Sequence, residues 1–353
     1  DKFVRIDDED VSKCTTAEIS SKLKGTPGTK VKLAIKRLMT GKVEEIEITR
    51  ARIAIPGVPY AGFLEDGIAY IRHADFSDGC YDDMRAMVER LRQEQTIKGV
   101  VLDYRDNGGG SVSEAVKILS MFLPKDTEVV TMKGRTDRSK RAYATESNPV
   151  LGDVPIVALI NGNSASASEI VCGALQDMDR AVLMGQRSYG KGLVQSVVPL
   201  GYNAYLKLTT AKYYIPSGRC VQRINYSHDS SLKEENVPDS LINEFTTANG
   251  RKVYDGGGVM PDVVREAEYA TRFVMTIYAE GHIEDFADDY AKRNDKRLQK
   301  IDPKRFSISD SDFEDFVEMM KGDIQVESEK GVGSVFTVTV TLEQSDRKDN
   351  ETE

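Results

Sequence analysis

A serine and a lysine in two small-residue stretches are the residues of this chain that could perform hydrolytic chemistry. Ser166 stands in Asn161-Gly-Asn-Ser-Ala-Ser-Ala-Ser-Glu169, and Lys191 stands in Gly185-Gln-Arg-Ser-Tyr-Gly-Lys-Gly192. A serine nucleophile needs a base, but none of the chain's histidines stands in a motif that resembles one; they are His73, His228 and His282. Lysine is therefore the candidate base, because a serine–lysine pair is a known variant of the serine–histidine–acid arrangement.

The serine stretch is predicted to lie at a turn between a strand and a helix. The apolar run Val154–Ile160 predicts the strand, and the apolar spacing over Ser166–Met178 predicts the helix. Free N–H groups at a helix amino terminus stabilise negative charge, so a serine there could attack a carbonyl beside an oxyanion site. The alternative is a helix cap in a tightly packed turn. Spacing does not choose between Ser164, Ser166 and Ser168.

A glycine-rich turn follows a second predicted strand, Gly99–Asp103. The turn reads Asp103-Tyr-Arg-Asp-Asn-Gly-Gly-Gly110. Three successive glycines let backbone N–H groups face a ligand without obstruction by side chains. The functional interpretation is the second half of an oxyanion hole, and the alternative is a tight turn between strand and helix.

The surroundings of Lys191 leave its role open. A lysine acts as a base when burial away from water lowers its pKa. Gln195 could orient it, but the two residues would be ~13 Å apart in a strand and ~6 Å apart in a helix. An orienting role for Gln195 therefore predicts a helical turn over residues 191–195, and the alternative for Lys191 is an ordinary surface lysine.

The lysine stretch also nearly matches a phosphate-binding loop. Gly185-x-x-x-x-Gly190-Lys191 has the required spacing, but the motif continues with Ser or Thr to hold magnesium, whereas Gly192 follows here. The next residues, Leu193–Leu200, do not predict a long helix. We therefore expect no nucleotide.

Composition narrows the class of protein. The chain has 353 residues, 40% hydrophobic and 30% charged, which is typical of a globular protein of two or three domains. The net charge of −9 argues against a nucleic-acid-binding protein. The cysteines are widely spaced, without a metal-binding or disulfide pattern, and no cofactor or metal is expected; they are Cys14, Cys80, Cys172 and Cys220.

The chain's first residues and its apolar runs bear on export and membrane attachment. No apolar run approaches the ~20 residues that span a bilayer. Lys2–Ile6 already reads as a strand, so we expect an upstream part that includes any export signal or anchor. Strands then alternate with helices: Gly67–Arg72, Tyr81–Gln93, Gly99–Asp103, Val112–Phe122, Val154–Ile160, Ser166–Met178 and Ala181–Gly185. This alternation predicts an α/β core with parallel strands.

The three stretches together resemble the carboxy-terminal processing (tail-specific) serine proteases. Tyr213-Tyr-Ile-Pro-Ser-Gly-Arg219 and Gly256-Gly-Gly-Val-Met-Pro-Asp262 continue the resemblance, which covers residues 1–285 and is greatest to members from Bacteroidetes-type bacteria. It implies a crotonase/Clp-like core of βαβ units and a serine endopeptidase that cuts proteins near their carboxyl termini. Tyr104 and Gly108 depart from the usual Leu and Pro of the family.

The resemblance also implies roles for single residues. Ser166 would be the nucleophile, Lys191 the base and Gln195 the residue that orients the lysine. The N–H of Ala167, with that of Gly109 or Gly110, would form the oxyanion hole. The implied partners are proteins or peptides with accessible carboxyl termini, in the periplasm or cell envelope, with membrane contact only through an upstream anchor.

The resemblance divides the chain into four parts. Residues 1–52 resemble the later part of a PDZ domain, and 53–285 form the protease core with an insertion at about 226–250. Residues 286–323 are a helical region, and 324–353 a β-hairpin with a disordered end. Val326–Val340 resembles the closing hairpin of a sensor histidine kinase ATP-binding domain, which we interpret as a borrowed segment without ATP function.

Two functions compete with a protease. The first is a catalytically silent module that binds peptide carboxyl termini, suggested by the incomplete PDZ-like part and the unusual tail. The second is a nucleotide-dependent protein, suggested by the near match to a phosphate-binding loop and by the kinase-like hairpin.

Overall fold

The computed structural model describes residues 1–53, 56–65, 67–136, 139–223, 242–267, 271–302, 306–319, 322–329 and 333–340. The chain forms two compact units, one of residues 54–268 and one that combines residues 1–53 with 269–353. Residues 269–285, which the sequence predicts as part of the core, lie in the second of these units.

The first 53 residues form a small α+β module. Its elements are β1 (Lys2–Ile6), β2 (Glu9–Asp10), α1 (Thr16–Leu23), β3 (Lys30–Lys36) and β4 (Val43–Thr49), and its antiparallel sheet has the order β2-β1-β3-β4. A capping box starts α1, because Thr15 N donates to Glu18 Oε2 at 2.7 Å and Glu18 N to Thr15 Oγ1 at 3.3 Å. The predicted elements are thus present, while the assignment to a PDZ domain stays a prediction.

The same unit contains the predicted helical region. The helices of this unit are α5 (Arg272–Ala279), α6 (His282–Leu298) and α7 (Asp310–Met319), of which α7 and most of α6 lie in the region predicted as helical, 286–323. Two antiparallel strands follow, labelled here β17 (Gly322–Glu329) and β18 (Gly333–Val340) because the larger unit contains β5 to β16. The predicted hairpin is therefore confirmed. Most of its turn, and the predicted disordered end at 343–353, lie outside the described residues.

The larger unit, residues 54–268, is the α/β core. Its helices are α2 (Cys80–Glu94), α3 (Val112–Leu119) and α4 (Ala167–Asp177). Its strands are β5 (Tyr60–Phe63), β6 (Ile68–Arg72), β7 (Gly99–Asp103), β8 (Glu128–Gly134), β9 (Arg141–Ala144), β10 (Ile156–Ile160), β11 (Val182–Gly185), β12 (Leu193–Gly201), β13 (Ala204–Tyr214), β14 (Glu244–Thr246), β15 (Lys252–Tyr254) and β16 (Val263–Val264). Strand β14 lies inside the predicted insertion at about 226–250, of which residues 226–241 are outside the described part.

Two sheets organise the core. The larger sheet has the order β16-β11-β10-β7-β6-β5 and is parallel except for the antiparallel pair β5–β6, which confirms the predicted parallel pairing. The smaller sheet has the order β12-β13-β8-β9. Helix α4 contacts β11 of the first sheet and β8 of the second, and all its residues are buried. Most residues of α4 are small or apolar, which allows this central position.

The parallel strands determine where a site can form. Strands β6, β7, β10 and β11 run in one direction, so their carboxyl ends meet at one edge of the sheet. The loops that leave these ends carry the glycine, serine and lysine stretches. This is the edge at which open α/β sheets bind their ligands. None of the helices in the described part of the chain is both long enough and apolar enough to cross a membrane.

Candidate active site

Ser166 occupies a strained turn between β10 and α4. Its backbone angles are φ 58° and ψ −113°, a region that residues other than glycine rarely adopt. Such a conformation costs about 1–3 kcal/mol and persists only where the surrounding structure enforces it. The turn places Ser166 immediately before the buried helix α4, as the sequence predicts.

The three serines of the stretch differ in what their hydroxyl groups do. Ser164 and Ser168 are fully buried; Ser164 Oγ donates to Tyr104 O at 2.8 Å, and Ser168 Oγ donates to Asn107 O at 2.9 Å. Ser166 is only half-buried, and its Oγ donates to no group in the described part of the chain. Spacing left three candidates, and the hydrogen bonds favour Ser166 because its hydroxyl is available.

The glycine turn packs directly against the serine turn. Gly109 has φ 91°, and a Cβ atom there would lie 2.7 Å from Ser166 Cβ and 2.8 Å from Ala167 N, so no other residue fits without displacement. The Gly109 N–H donates to Asn107 Oδ1 at 2.9 Å. The N–H groups of Gly110 and Ala167 have no hydrogen-bond acceptor among the described residues. Of the two glycines predicted for an oxyanion hole, Gly110 therefore has the available donor.

Glu169 links the serine turn to the lysine loop. Its buried carboxylate accepts four hydrogen bonds: from Ser166 N at 2.9 Å, Lys191 N at 2.8 Å, Gly190 N at 2.7 Å and Ser188 Oγ at 2.6 Å. Burial raises the pKa of Glu169, and these hydrogen bonds oppose the rise because each stabilises the ionised form. This role of Glu169 was not predicted from the sequence. Ser166-x-x-Glu169 has capping-box spacing, which was the available signal.

The glycines on either side of Lys191 allow another segment to pass close by. A Cβ atom at Gly190 would lie 2.4 Å from Arg223 Cβ, and one at Gly192 would lie 2.8 Å from Gln222 N. The N–H of Gly192 donates to Gln222 Oε1 at 2.6 Å, and those of Gly190 and Lys191 donate to Glu169. These groups therefore hold side chains of the protein rather than a phosphate. Strand β12 follows where a phosphate-binding loop would continue into a helix.

The motif that begins at Tyr213 contacts the serine turn and the lysine loop. The buried hydroxyl of Tyr213 lies within hydrogen-bond distance of Lys191 O and, at 3.1 Å, of Ser166 O. At the other end of α4, Arg219 lies 2.8 Å from Asp177 and donates to Gln176 Oε1 at 2.7 Å. The motif thus contacts both ends of α4, and at the amino end it also contacts the lysine loop.

Lys191 and Gln195 are not arranged as the orienting role required. The predicted helical turn over residues 191–195 is wrong, because pairing with β13 holds the segment extended, and Gln195 pairs with Thr209. Both side chains are exposed, whereas a basic lysine was expected to be buried. No hydrogen bond joins Lys191 Nζ to Ser166 Oγ within the described ranges. Lys191 and Gln195 nevertheless line one cavity of about 460 Å³ together with Gly108, Ala165 and Leu193.

Comparison with protein families identifies the core. The family model "Peptidase family S41" matches residues 67–232, which contain the serine, glycine and lysine stretches. The core of the chain belongs to peptidase family S41. A second model, "Probable PDZ-protease, C-terminal helical domain", matches residues 273–344 of this S41 chain. That match includes β17 and β18, whose likeness to a kinase hairpin stays an interpretation.

Curated relatives of this S41 chain are carboxy-terminal processing proteases. It is 38% identical over 237 residues to the carboxy-terminal-processing protease of Bartonella bacilliformis, covering 66% of this chain and 54% of the relative. It is 32% identical over 239 residues to the carboxyl-terminal-processing protease of Synechocystis, covering 66% and 55%. The chain thus spans about half the length of these relatives. The solved photosystem II D1 C-terminal processing protease is 26% identical, with a TM-score of 0.43 and coverage of 67% and 64%.

Proposed function

We propose that this chain is a serine endopeptidase that hydrolyses protein substrates near their carboxyl termini. The observation that supports this most directly is the joint placement of Ser166 and Lys191 by one buried carboxylate, that of Glu169. Ser166 is the nucleophile and Lys191 the general base. The processing near carboxyl termini is carried over from the names of the curated relatives.

In the proposed reaction Lys191 takes the proton of Ser166 Oγ as this oxygen attacks the substrate carbonyl carbon. The N–H groups of Ala167 and Gly110 stabilise the oxyanion that forms. Lys191 then gives its proton to the departing amine, and an acyl-enzyme remains. A water molecule, activated by Lys191, hydrolyses this ester and restores the serine.

A second candidate is a module that binds peptide carboxyl termini without cutting them. The observation that favours it is the exposure of Lys191 and the extended chain at Gln195, which leave the dyad open in this conformation. Under this alternative the cavity beside Ser166 would hold a peptide, but no acyl-enzyme would form.

Cleavage of casein by this chain and by two variants separates the candidates. Ser166→Ala and Lys191→Ala should each abolish cleavage while leaving the thermal unfolding midpoint unchanged. Lys207→Ala, which removes an exposed lysine on β13, is the matched control and should cleave like the parent. Equal cleavage by the parent and by Ser166→Ala would refute the proposed nucleophile. Peptide binding without any turnover in the parent would favour the silent module.

Carboxyl-terminal preference needs a substrate pair of its own. We expect a peptide with a free carboxyl terminus to be cut faster than the same peptide with an amidated terminus. Equal rates would assign the enzyme a general endopeptidase activity. By resemblance we also propose a location outside the cytoplasm, which fractionation of cells that produce the full-length protein tests.

A further inference from the structure

Asn107 is a fully buried side chain between the loops that the proposed mechanism must align. Its Nδ2 donates to His73 O at 2.8 Å, and its Oδ1 accepts from Gly109 N at 2.9 Å. Both ends of the amide are therefore used, one as donor and one as acceptor. Aspartate and leucine have about the same size as asparagine. At neutral pH an ionised aspartate can accept from Gly109 N but cannot donate to His73 O, and leucine can do neither.

The main chain of Asn107 holds the serine turn as well. Its carbonyl oxygen accepts from Ala165 N at 3.0 Å and from Ser168 Oγ at 2.9 Å, on the two sides of Ser166. One residue thus contacts the loop after β6 through His73, the glycine turn after β7 and the serine turn after β10. These are three of the loops at the carboxyl edge of the sheet.

We propose that Asn107 is a positioning residue whose side-chain amide aims the Gly110 N–H at the substrate carbonyl oxygen beside Ser166. By accepting the Gly109 N–H, the amide turns that donor away from the site and leaves the next N–H, that of Gly110, available. Its bond to His73 O keeps the amide in this orientation. The inference rests on the proposed function, because the oxyanion exists only if Ser166 attacks a carbonyl.

Asn107→Asp tests this with a side chain of unchanged shape. The carboxyl group still accepts from Gly109 N, but it donates to His73 O only while it is protonated. Burial raises the pKa of such a group, so the variant should work at low pH and lose kcat by about 100-fold as the pH rises. KM should change little, because the contact with the oxyanion is made in the transition state.

The charged neighbours of Asn107 do not produce the same pH profile. Burial lowers the pKa of His73 to about 4, so its ring stays neutral over the assay range of about pH 5–8. Arg105 and Asp106 precede Asn107 with exposed side chains, and Glu169 lies on the far side of Ser166. All four are unchanged in the variant, so a comparison with the parent cancels their titration.

Asn249→Asp is the matched control, since it makes the same chemical change at an exposed turn. Its kcat profile should follow that of the parent. Protection of the Gly109 amide against exchange, measured by NMR without substrate and corrected for the base-catalysed rise of exchange with pH, should fall at high pH in Asn107→Asp only, because the side chain is then no longer held by His73 O. The proposal would be overturned if kcat of Asn107→Asp varied with pH in parallel with kcat of the parent. It would also be overturned if the variant were unfolded at both the low and the high end of the assay range. If the parent and Ser166→Ala cleave casein equally, the proposed function fails instead, and the amide exchange still reports on the glycine turn.

Discussion

Replacing Glu169 by Gln removes one acceptor oxygen from the group that joins the serine turn to the lysine loop. The four donors around the carboxylate are Ser166 N, Ser188 Oγ, Gly190 N and Lys191 N. The amide oxygen of Gln can serve two of them. The other two would face an NH₂ group, which only donates.

The expected loss of stability follows from these two donors. A buried donor without an acceptor costs about 1–3 kcal/mol, so two cost roughly 2–6 kcal/mol. The lower part of this range applies, because the Ser188 hydroxyl can turn and accept from the NH₂ group. Gln carries no charge, and the energy needed to bury a carboxylate is recovered in part. We therefore expect the free energy of unfolding to fall by about 2–4 kcal/mol, a large share of the roughly 5–15 kcal/mol of a typical domain.

The molecules that stay folded should also react more slowly. The link between Ser166 and Lys191 weakens, and a displacement of about 1 Å at a reacting group can lower a rate by about 100-fold. Urea unfolding measures the stability, and casein cleavage, divided by the folded fraction, measures the activity.

Glu114→Gln is the control for this experiment. Glu114 is also buried, and it accepts from Tyr81 N at 2.9 Å and Lys117 Nζ at 2.7 Å, on the side of α3 that faces α2. Its replacement should lower stability but leave activity per folded molecule unchanged. An unchanged urea midpoint for Glu169→Gln, or cleavage at the parental kcat, would refute the role that we assign to Glu169.

Three further predictions concern stability. Ser166→Gly should raise the free energy of unfolding by about 1 kcal/mol in urea, because glycine adopts φ 58° without strain, and should abolish cleavage; a lower stability would contradict the strained turn. Burial lowers the pKa of His73 from 6.5 to about 4, so the unfolded chain binds a proton in this range that the native chain does not. The contribution of neutral His73 to the free energy of unfolding should therefore be fully present above pH 6.5 and fall by about 3 kcal/mol towards pH 4. In urea titrations at a series of pH values, His73→Phe should show a smaller fall over this range. Gly190→Ala should lose about 1–3 kcal/mol more than Gly201→Ala, since both have φ near 90° but only the first meets a neighbour, Arg223; equal losses would show that the close contact relaxes without cost.

Local pattern was sufficient to predict much of the fold. The apolar spacing of Met84, Val88 and Leu91 predicted the buried face of α2, and Thr15 with Glu18 predicted the start of α1. The alternation of strands and helices predicted the parallel sheet. These features depend on neighbours a few residues apart, which a sequence displays directly.

Local pattern failed where distant segments compete for the same residues. The turn expected at residues 191–195 is a strand because β13, beyond the hairpin turn, supplies the hydrogen bonds. The choice among the three serines depends on Tyr104 O and Asn107 O, which belong to the loop after β7. Periodicity within one segment contains no information about such partners.

The sequence by itself determined which residue types could react, namely a serine in a small-residue turn and a lysine between two glycines, and the family to which the chain belongs. Only the tertiary structure decided how they are held. It buries Glu169 where four donors from two loops converge, and it leaves the Lys191 side chain exposed. It also uses two of the three serine hydroxyls in hydrogen bonds to main-chain carbonyl oxygens. The physical reason is that a buried polar group must find its partners in space, and those partners come from loops that are separated in sequence and meet only at the edge of the folded sheet.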